Sequence, residues 1–194
     1  LKSQMRLVIS DIALDNDPNA VDRIQRLLTD YAGDERLARY AHEAAKQFLN
    51  SKKYQEACDL YDYVVNNWPD TKYVLSSRTG LAISSIKLGD EQGAADAVDD
   101  LLLNHIDDER IARAIYLVNR RYFRRGEDLR ARQVYRYFLD NWSNPELEIW
   151  AHAITAIAGN DVADPNAVDR IIADFAGHRK LAEIVTCIPD HFYE

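Results

Sequence analysis

The sequence predicts an all-α protein made of about five repeated helical hairpins. Alanines recur every 37 residues at Ala20, Ala57, Ala94 and Ala131, and Ala167 follows after 36 more. Behind each of the first four, large and mostly apolar residues stand at offsets of 4, 7, 8 and 11, which trace one face of an α-helix. With 7 glycines and 5 prolines among 194 residues, and 47% hydrophobic residues, the composition favours helices packed around a core over a turn-rich β-fold.

A second helix is expected between successive alanines of this series. Apolar stripes open at Leu37, Val74 and Ile111, and Gly89 and Gly126 stand five residues before the next alanine, where a glycine suits a tight turn between helices. Each repeat therefore consists of helix A, a short turn and helix B, and neighbouring repeats must stack to bury their apolar faces.

These patterns predict one domain over residues 1–194, with repeats at about 1–33, 34–70, 71–107, 108–144 and 145–178 and a tail after them. The expected helices cover about 2–14, 18–31, 35–50, 54–67, 72–88, 91–105, 108–125, 129–141, 145–158 and 165–176.

The repeats resemble the tetratricopeptide repeat (TPR) family. That family has small residues where helices A and B cross, which Ala45 and Ala57 match, a large residue four positions later, Tyr61, and a proline after helix B, Pro69. The 37-residue period departs from the family's usual 34, and Pro69 has no equivalent in the next repeats. The second repeat looks most like variant repeats of bacterial cell-envelope assembly proteins. The resemblance implies a right-handed α-solenoid and favours the cell envelope or periplasm over the cytoplasm.

The resemblance also implies a binding surface, because helix A of a TPR lines a concave groove that holds a peptide. The ligand-contacting positions of the TPR family can be matched to residues of this sequence one at a time. The matching residues whose charge or aromatic ring favours binding are Arg39, His42, Lys46, Lys87, Arg113, Tyr116, Arg120, Phe123 and Arg124. The other matching residues, which are uncharged and not aromatic, are Leu49, Asn50, Ser76, Thr79, Ile83 and Ile86. The recurring cations suggest that the ligand is an acidic peptide segment or the C-terminus of a protein. Pairing of these cations with acidic residues on neighbouring helices is an equally open interpretation.

One eight-residue segment occurs twice, beginning at Asp17 and again at Asp164. It is interpreted as a helix start, with the aspartate as N-cap and the following proline, Pro18 or Pro165, as the first helical residue. A duplicated docking element is the alternative interpretation.

Catalysis, cofactors and metals are not expected. The sequence has no glycine-rich phosphate loop, no nucleophile motif and no cluster with metal-ligand spacing, and its net charge of −8 argues against a nucleic-acid binder. No apolar run is long enough to span a membrane. We therefore expect a non-catalytic scaffold or adaptor that holds a protein or peptide partner. A helical accessory domain of a larger enzyme or envelope protein is the alternative, and the sequence leaves the oligomeric state open.

Overall fold

The computed structural model describes residues 1–14, 18–108, 110–141, 167–178 and 181–182, and these residues contain helices, turns and no strand. The helices are α1 Lys2–Ala13, α2 Ala20–Asp30, α3 Arg36–Asn50, α4 Tyr54–Asn67, α5 Val74–Leu88, α6 Glu91–Asn104, α7 Ile111–Arg124, α8 Asp128–Asn141 and α9 Ala167–Asp174. The prediction of an all-α fold of helical hairpins is confirmed. The predicted helix at about 145–158 lies outside the described residues.

The helices pack as the repeat pattern requires. Helix α1 packs on α2 and on α3, α3 packs on α4, and α5 packs on both α3 and α4. The A helix of the third repeat thus lies against both helices of the second, and α7 packs on α8 in the fourth repeat. No described helix is both long and apolar enough to cross a membrane.

The first four recurring alanines lie buried among packed helices. Ala20, Ala57, Ala94 and Ala131 are at most 2% exposed. Each stands in the first turns of a B helix, and only a small side chain leaves room for such close packing. The 37-residue spacing of these four alanines therefore reflects a packing requirement that returns in each of the first four repeats.

Glycine turns end two of the A helices, as predicted. Gly89 has a φ of 82°, in the left-handed region, and its N–H donates to the carbonyls of Ser85 and Ile86. Gly126 has a φ of 73°, and the N–H of Glu127, which follows it, donates to the Tyr122 carbonyl at 2.9 Å. The positive φ favours glycine because it carries no Cβ, so these turns fix where helix B can begin.

The start of α2 differs from the prediction. The helix begins at Ala20 with Asn19 as N-cap, and the Arg23 N–H makes the first helical bond to the Asn19 carbonyl at 3.0 Å. The prediction of Pro18 as the first helical residue is therefore wrong, because residues 18 and 19 form a turn. Asp17, the predicted N-cap, and the second copy at 164–166 lie outside the described residues.

The protein forms two compact units, Leu1–Leu101 and Leu102–Glu194. In the first unit, one continuous apolar core joins α1, α2, α3 and α4. Met5, Leu37 and Val64 are fully buried members of this core, and each contributes about 1.5–3 kcal/mol through the apolar surface that it removes from water.

Candidate functional site

Two cations of the predicted binding surface lie exposed on α3. Arg39 and Lys46 are seven residues apart, so they project from the same side of the helix two turns apart. Arg39 donates from Nε to Glu43 Oε1 at 2.9 Å, an exposed pair one helical turn apart. Exposed pairs of this kind stabilise a helix by only about 0.3–0.5 kcal/mol, so Arg39 can exchange Glu43 for another carboxylate at little cost.

His42, which lies between these two cations on α3, is packed against other side chains of the unit. Its ring centroid is 5.7 Å from that of Tyr61 and 5.7 Å from that of Tyr73. Its Nδ1 atom is 2.9 Å from the hydroxyl of Ser77, which is fully buried on α5. His42 therefore helps to hold α3 against α4 and α5, and only part of its ring remains accessible.

Burial lowers the pKa of His42, and the nearby charge of Lys46 lowers it further, while Glu43 partly opposes the shift. The unfolded protein therefore takes up the proton first as the pH falls, so acid destabilises the folded state through this residue. We expect the melting temperature of the wild type to fall as the pH is lowered below about 6.5. In His42→Gln, which keeps a polar group toward Ser77, the fall between pH 7.5 and pH 5.5 should be smaller.

Thermal unfolding of the two proteins across this pH range checks the prediction. The carboxyl of Asp34, whose pKa is lowered to about 2 by its bonds to Arg36, and that of Asp108, whose pKa is lowered by Arg110, titrate below this window. An identical pH dependence in wild type and His42→Gln would show that His42 does not titrate as described.

The same turn precedes the A helices of repeats two and four. The Asp34 carboxylate accepts hydrogen bonds from the Arg36 N–H at 2.9 Å and from its guanidinium at 2.6 Å. Asp108 and Arg110 repeat this arrangement with the same two distances. In both repeats, the next arginine of helix A follows three residues after the arginine of this turn. Arg39 follows Arg36, and Arg113 follows Arg110. The sequence analysis did not predict this aspartate–arginine turn, although the recurring Asp-Glu-Arg triplets at 34–36 and 108–110 indicate it.

Helix α5 contributes little to the predicted surface. Ten of its 15 residues are buried, among them Thr79, Ile83 and Ile86, which match ligand-contacting positions of the TPR family. Lys87, in the last turn of the helix, is exposed. Most of α5 is therefore packed inside the first unit, and Lys87 is the cation that it supplies to the predicted surface.

In the second unit, the predicted residues lie on α7 with different degrees of exposure. Arg113 and Arg124 are exposed, and Arg120 is half-buried. Tyr116 is 4% exposed, so its ring packs inside the protein and offers little surface to a ligand. The side chain of Phe123 lies outside the described residues.

No group of three or more histidine, cysteine or acidic side chains in the described part of the protein has the geometry of a metal site. The thiol of Cys58 is buried, and burial raises its pKa, although its hydrogen bond with the Ser85 hydroxyl partly opposes the shift. A thiol with a raised pKa is mostly protonated near neutral pH and is a poor nucleophile.

Comparison with known proteins gives one structural similarity. The protein matches the crystal structure of nearly identical TPR-like repeats of a kinesin light chain from Podospora anserina, with 16% sequence identity and a TM-score of 0.49. The match covers 100% of this protein and 97% of the other. Neither a protein-family model nor a curated protein matches the sequence. The contacts between the described helices and the glycine turns show that they pack as helical hairpins.

Proposed function

We propose that the protein is a non-catalytic scaffold that holds an acidic segment or the C-terminus of a partner protein. The observation that carries the proposal is the recurrence of exposed cations at equivalent positions of the A helices. Arg39 on α3 and Arg113 on α7 are both exposed, and they stand two repeats apart behind the same aspartate–arginine turn. Lys46 and Arg124 add further exposed cations on the same two helices.

The chemistry of these side chains supports a carboxylate ligand. A guanidinium presents its N–H groups in a planar fork that matches the two oxygens of a carboxylate, and an ammonium adds a point charge beside it. The protein as a whole has a net charge of −8 and repels anions, so an anionic segment is attracted only locally, where these cations are exposed. Recognition of this kind weakens as ionic strength rises, because the contributing charges are exposed to solvent.

Charge reversal on α3 tests the proposal. A random peptide library displayed on phage, including peptides with free C-termini, is selected on the wild-type protein. We expect the selected peptides to be rich in aspartate and glutamate or to end in a required free carboxylate. Arg39→Glu combined with Lys46→Glu should weaken their binding about tenfold or more, since two attractive contacts become repulsive. Fluorescence anisotropy with a labelled selected peptide measures the loss.

A matched control separates the local surface from the net charge. Arg6 on α1 and Arg26 on α2 are exposed cations that do not match ligand-contacting positions of the TPR family. Arg6→Glu combined with Arg26→Glu changes the net charge by the same amount and should leave binding within about twofold, with little change in melting temperature in either variant. Equal losses in both variants, or selected peptides without acidic residues, would refute the proposed surface.

A further inference from the structure

An apolar groove runs between the B helices of the first two repeats. It is lined by residues of α2 and α4 and by Phe48 of α3, and it has a volume of about 410 Å³. Ile24 and Leu28 form one wall, and Leu60 and Tyr63 form part of the other. These side chains belong to the core of the first unit, so the groove is an opening onto packed apolar surface rather than a gap between polar loops.

The α4 wall of this groove is acidic. Glu56 and Asp59 line it, and Asp59 also lines a second groove of about 920 Å³ on the other side of α4, toward α6. Five aspartates and one arginine, Arg78, line this second groove, so its charged side chains carry a net charge of −4. The aspartates are Asp59, Asp62, Asp90, Asp96 and Asp100.

The hydrogen bonds within this surface leave most of its negative charge in place. Asp59, Asp62 and Asp96 each accept from the neutral side-chain amide of a residue on the same helix, at 2.7–2.8 Å. A neutral amide orients a carboxylate without cancelling its charge. Arg78 and Asp100, which both line the groove, form an ion pair at 2.6 Å.

We propose that this B-helix surface, the two grooves that flank α4, docks a cationic amphipathic segment of a second partner protein. Apolar side chains of the segment enter the groove between α2 and α4, where Phe48 and Leu60 receive them. Its lysines or arginines face Glu56 and Asp59 and extend to Asp62 across α4. Charge complementarity selects this occupant, because an anionic or uncharged apolar segment leaves the carboxylates without a counter-charge.

The site is independent of the one proposed on α3 and has the opposite charge preference. One surface presents Arg39 and Lys46 to an acidic ligand, and the other presents carboxylates beside an apolar groove to a basic ligand. A scaffold with both can hold two partners of opposite charge at once, and neither partner competes for the surface of the other.

The test uses a fluorescein-labelled 14-residue peptide of leucine and lysine whose leucines lie on one face of a helix. Fluorescence anisotropy at 0.15 M salt should show binding at least tenfold tighter than that of a peptide with serine in place of leucine. Glu56→Lys combined with Asp59→Lys should weaken binding of the leucine–lysine peptide about tenfold or more. Asp22→Lys combined with Asp30→Lys, at exposed positions of α2 outside both grooves, changes the net charge equally and should keep the wild-type affinity.

The remaining outcomes overturn the proposal. Equal weakening in the two variants would mean that net charge alone attracts the peptide, and equal binding of a leucine–glutamate peptide would mean that the carboxylates select nothing. If the wild type self-associates in analytical ultracentrifugation and Glu56→Lys with Asp59→Lys makes it monomeric, the occupant is a second copy of this protein. The α3 variant Arg39→Glu with Lys46→Glu should bind the leucine–lysine peptide normally, so failure of one proposed surface is distinguishable from failure of the other.

Discussion

Alanine in place of Gly80 is expected to destabilise the protein, although alanine is the better helix former. A Cβ added to Gly80 would overlap Cζ and Cε2 of the Tyr61 ring, so the Tyr61 ring on α4 and the backbone of α5 cannot both stay in place. Tyr61 is 2% exposed, and its ring also packs beside that of His42, which leaves it little freedom to move. Overpacking costs about 1–3 kcal/mol, whereas the gain in helix propensity is about 1 kcal/mol.

A double-mutant cycle identifies the contact responsible. In a Tyr61→Leu background, the atoms that a Cβ at residue 80 meets are gone, and Gly80→Ala should become neutral or stabilising. Tyr61→Phe keeps Cζ, so in that background Gly80→Ala should cause the same loss of stability as in the wild type. Urea unfolding of the four proteins of the cycle measures the coupling. A Gly80→Ala variant that is more stable than the wild type would contradict the close approach of α5 to Tyr61.

Leucine at Ala57 is expected to destabilise the protein by about 1–3 kcal/mol, because the added atoms have no space to occupy. Ala57 is fully buried in α4, a helix that packs on both α3 and α5. Gln55→Leu is the matched control: it introduces the same side chain on the same helix at an exposed position and should change stability by less than about 0.5 kcal/mol.

Thermal and urea unfolding of these two variants test the repeat register. The 37-residue alanine series requires a large difference between them. Equal stabilities would mean that the alanines do not mark the crossing of helices A and B.

Periodicity predicted the helices because most of them bury one face only. Ala57, Tyr61 and Val64 follow one another on the buried side of α4, and this spacing is visible in the sequence alone. Periodicity also predicted α5 as a helix, but it could not show which side of α5 is open, because this helix is buried on most of its sides. The family resemblance placed Thr79 and Ile83 on a binding surface, whereas the fold buries both side chains.

The side-chain contacts between helices could not be predicted from the sequence. Gly80 and Tyr61 stand 19 residues apart on two helices, and neither belongs to a motif that signals their contact. The hydrogen-bond distance between His42 and Ser77 is likewise set by how α3 and α5 pack. The grooves beside α4 depend on the spacing between B helices, which the side-chain pattern of a single helix does not determine. Exposed cations such as Arg39 could be predicted, since helix phase alone decides which side chains leave the core.

The proposed function requires that exposed cations of helix A bind the acidic segment of a partner. Titration of ¹⁵N-labelled protein with the tightest-binding acidic peptide from the library selection, followed by chemical-shift mapping, tests it most directly. The largest shifts are expected at the amides around Arg39 and Lys46 on α3, and Arg39→Glu with Lys46→Glu should abolish them. Largest shifts around Glu56 and Asp59 on α4, or shifts that persist in the α3 variant, would contradict the claim.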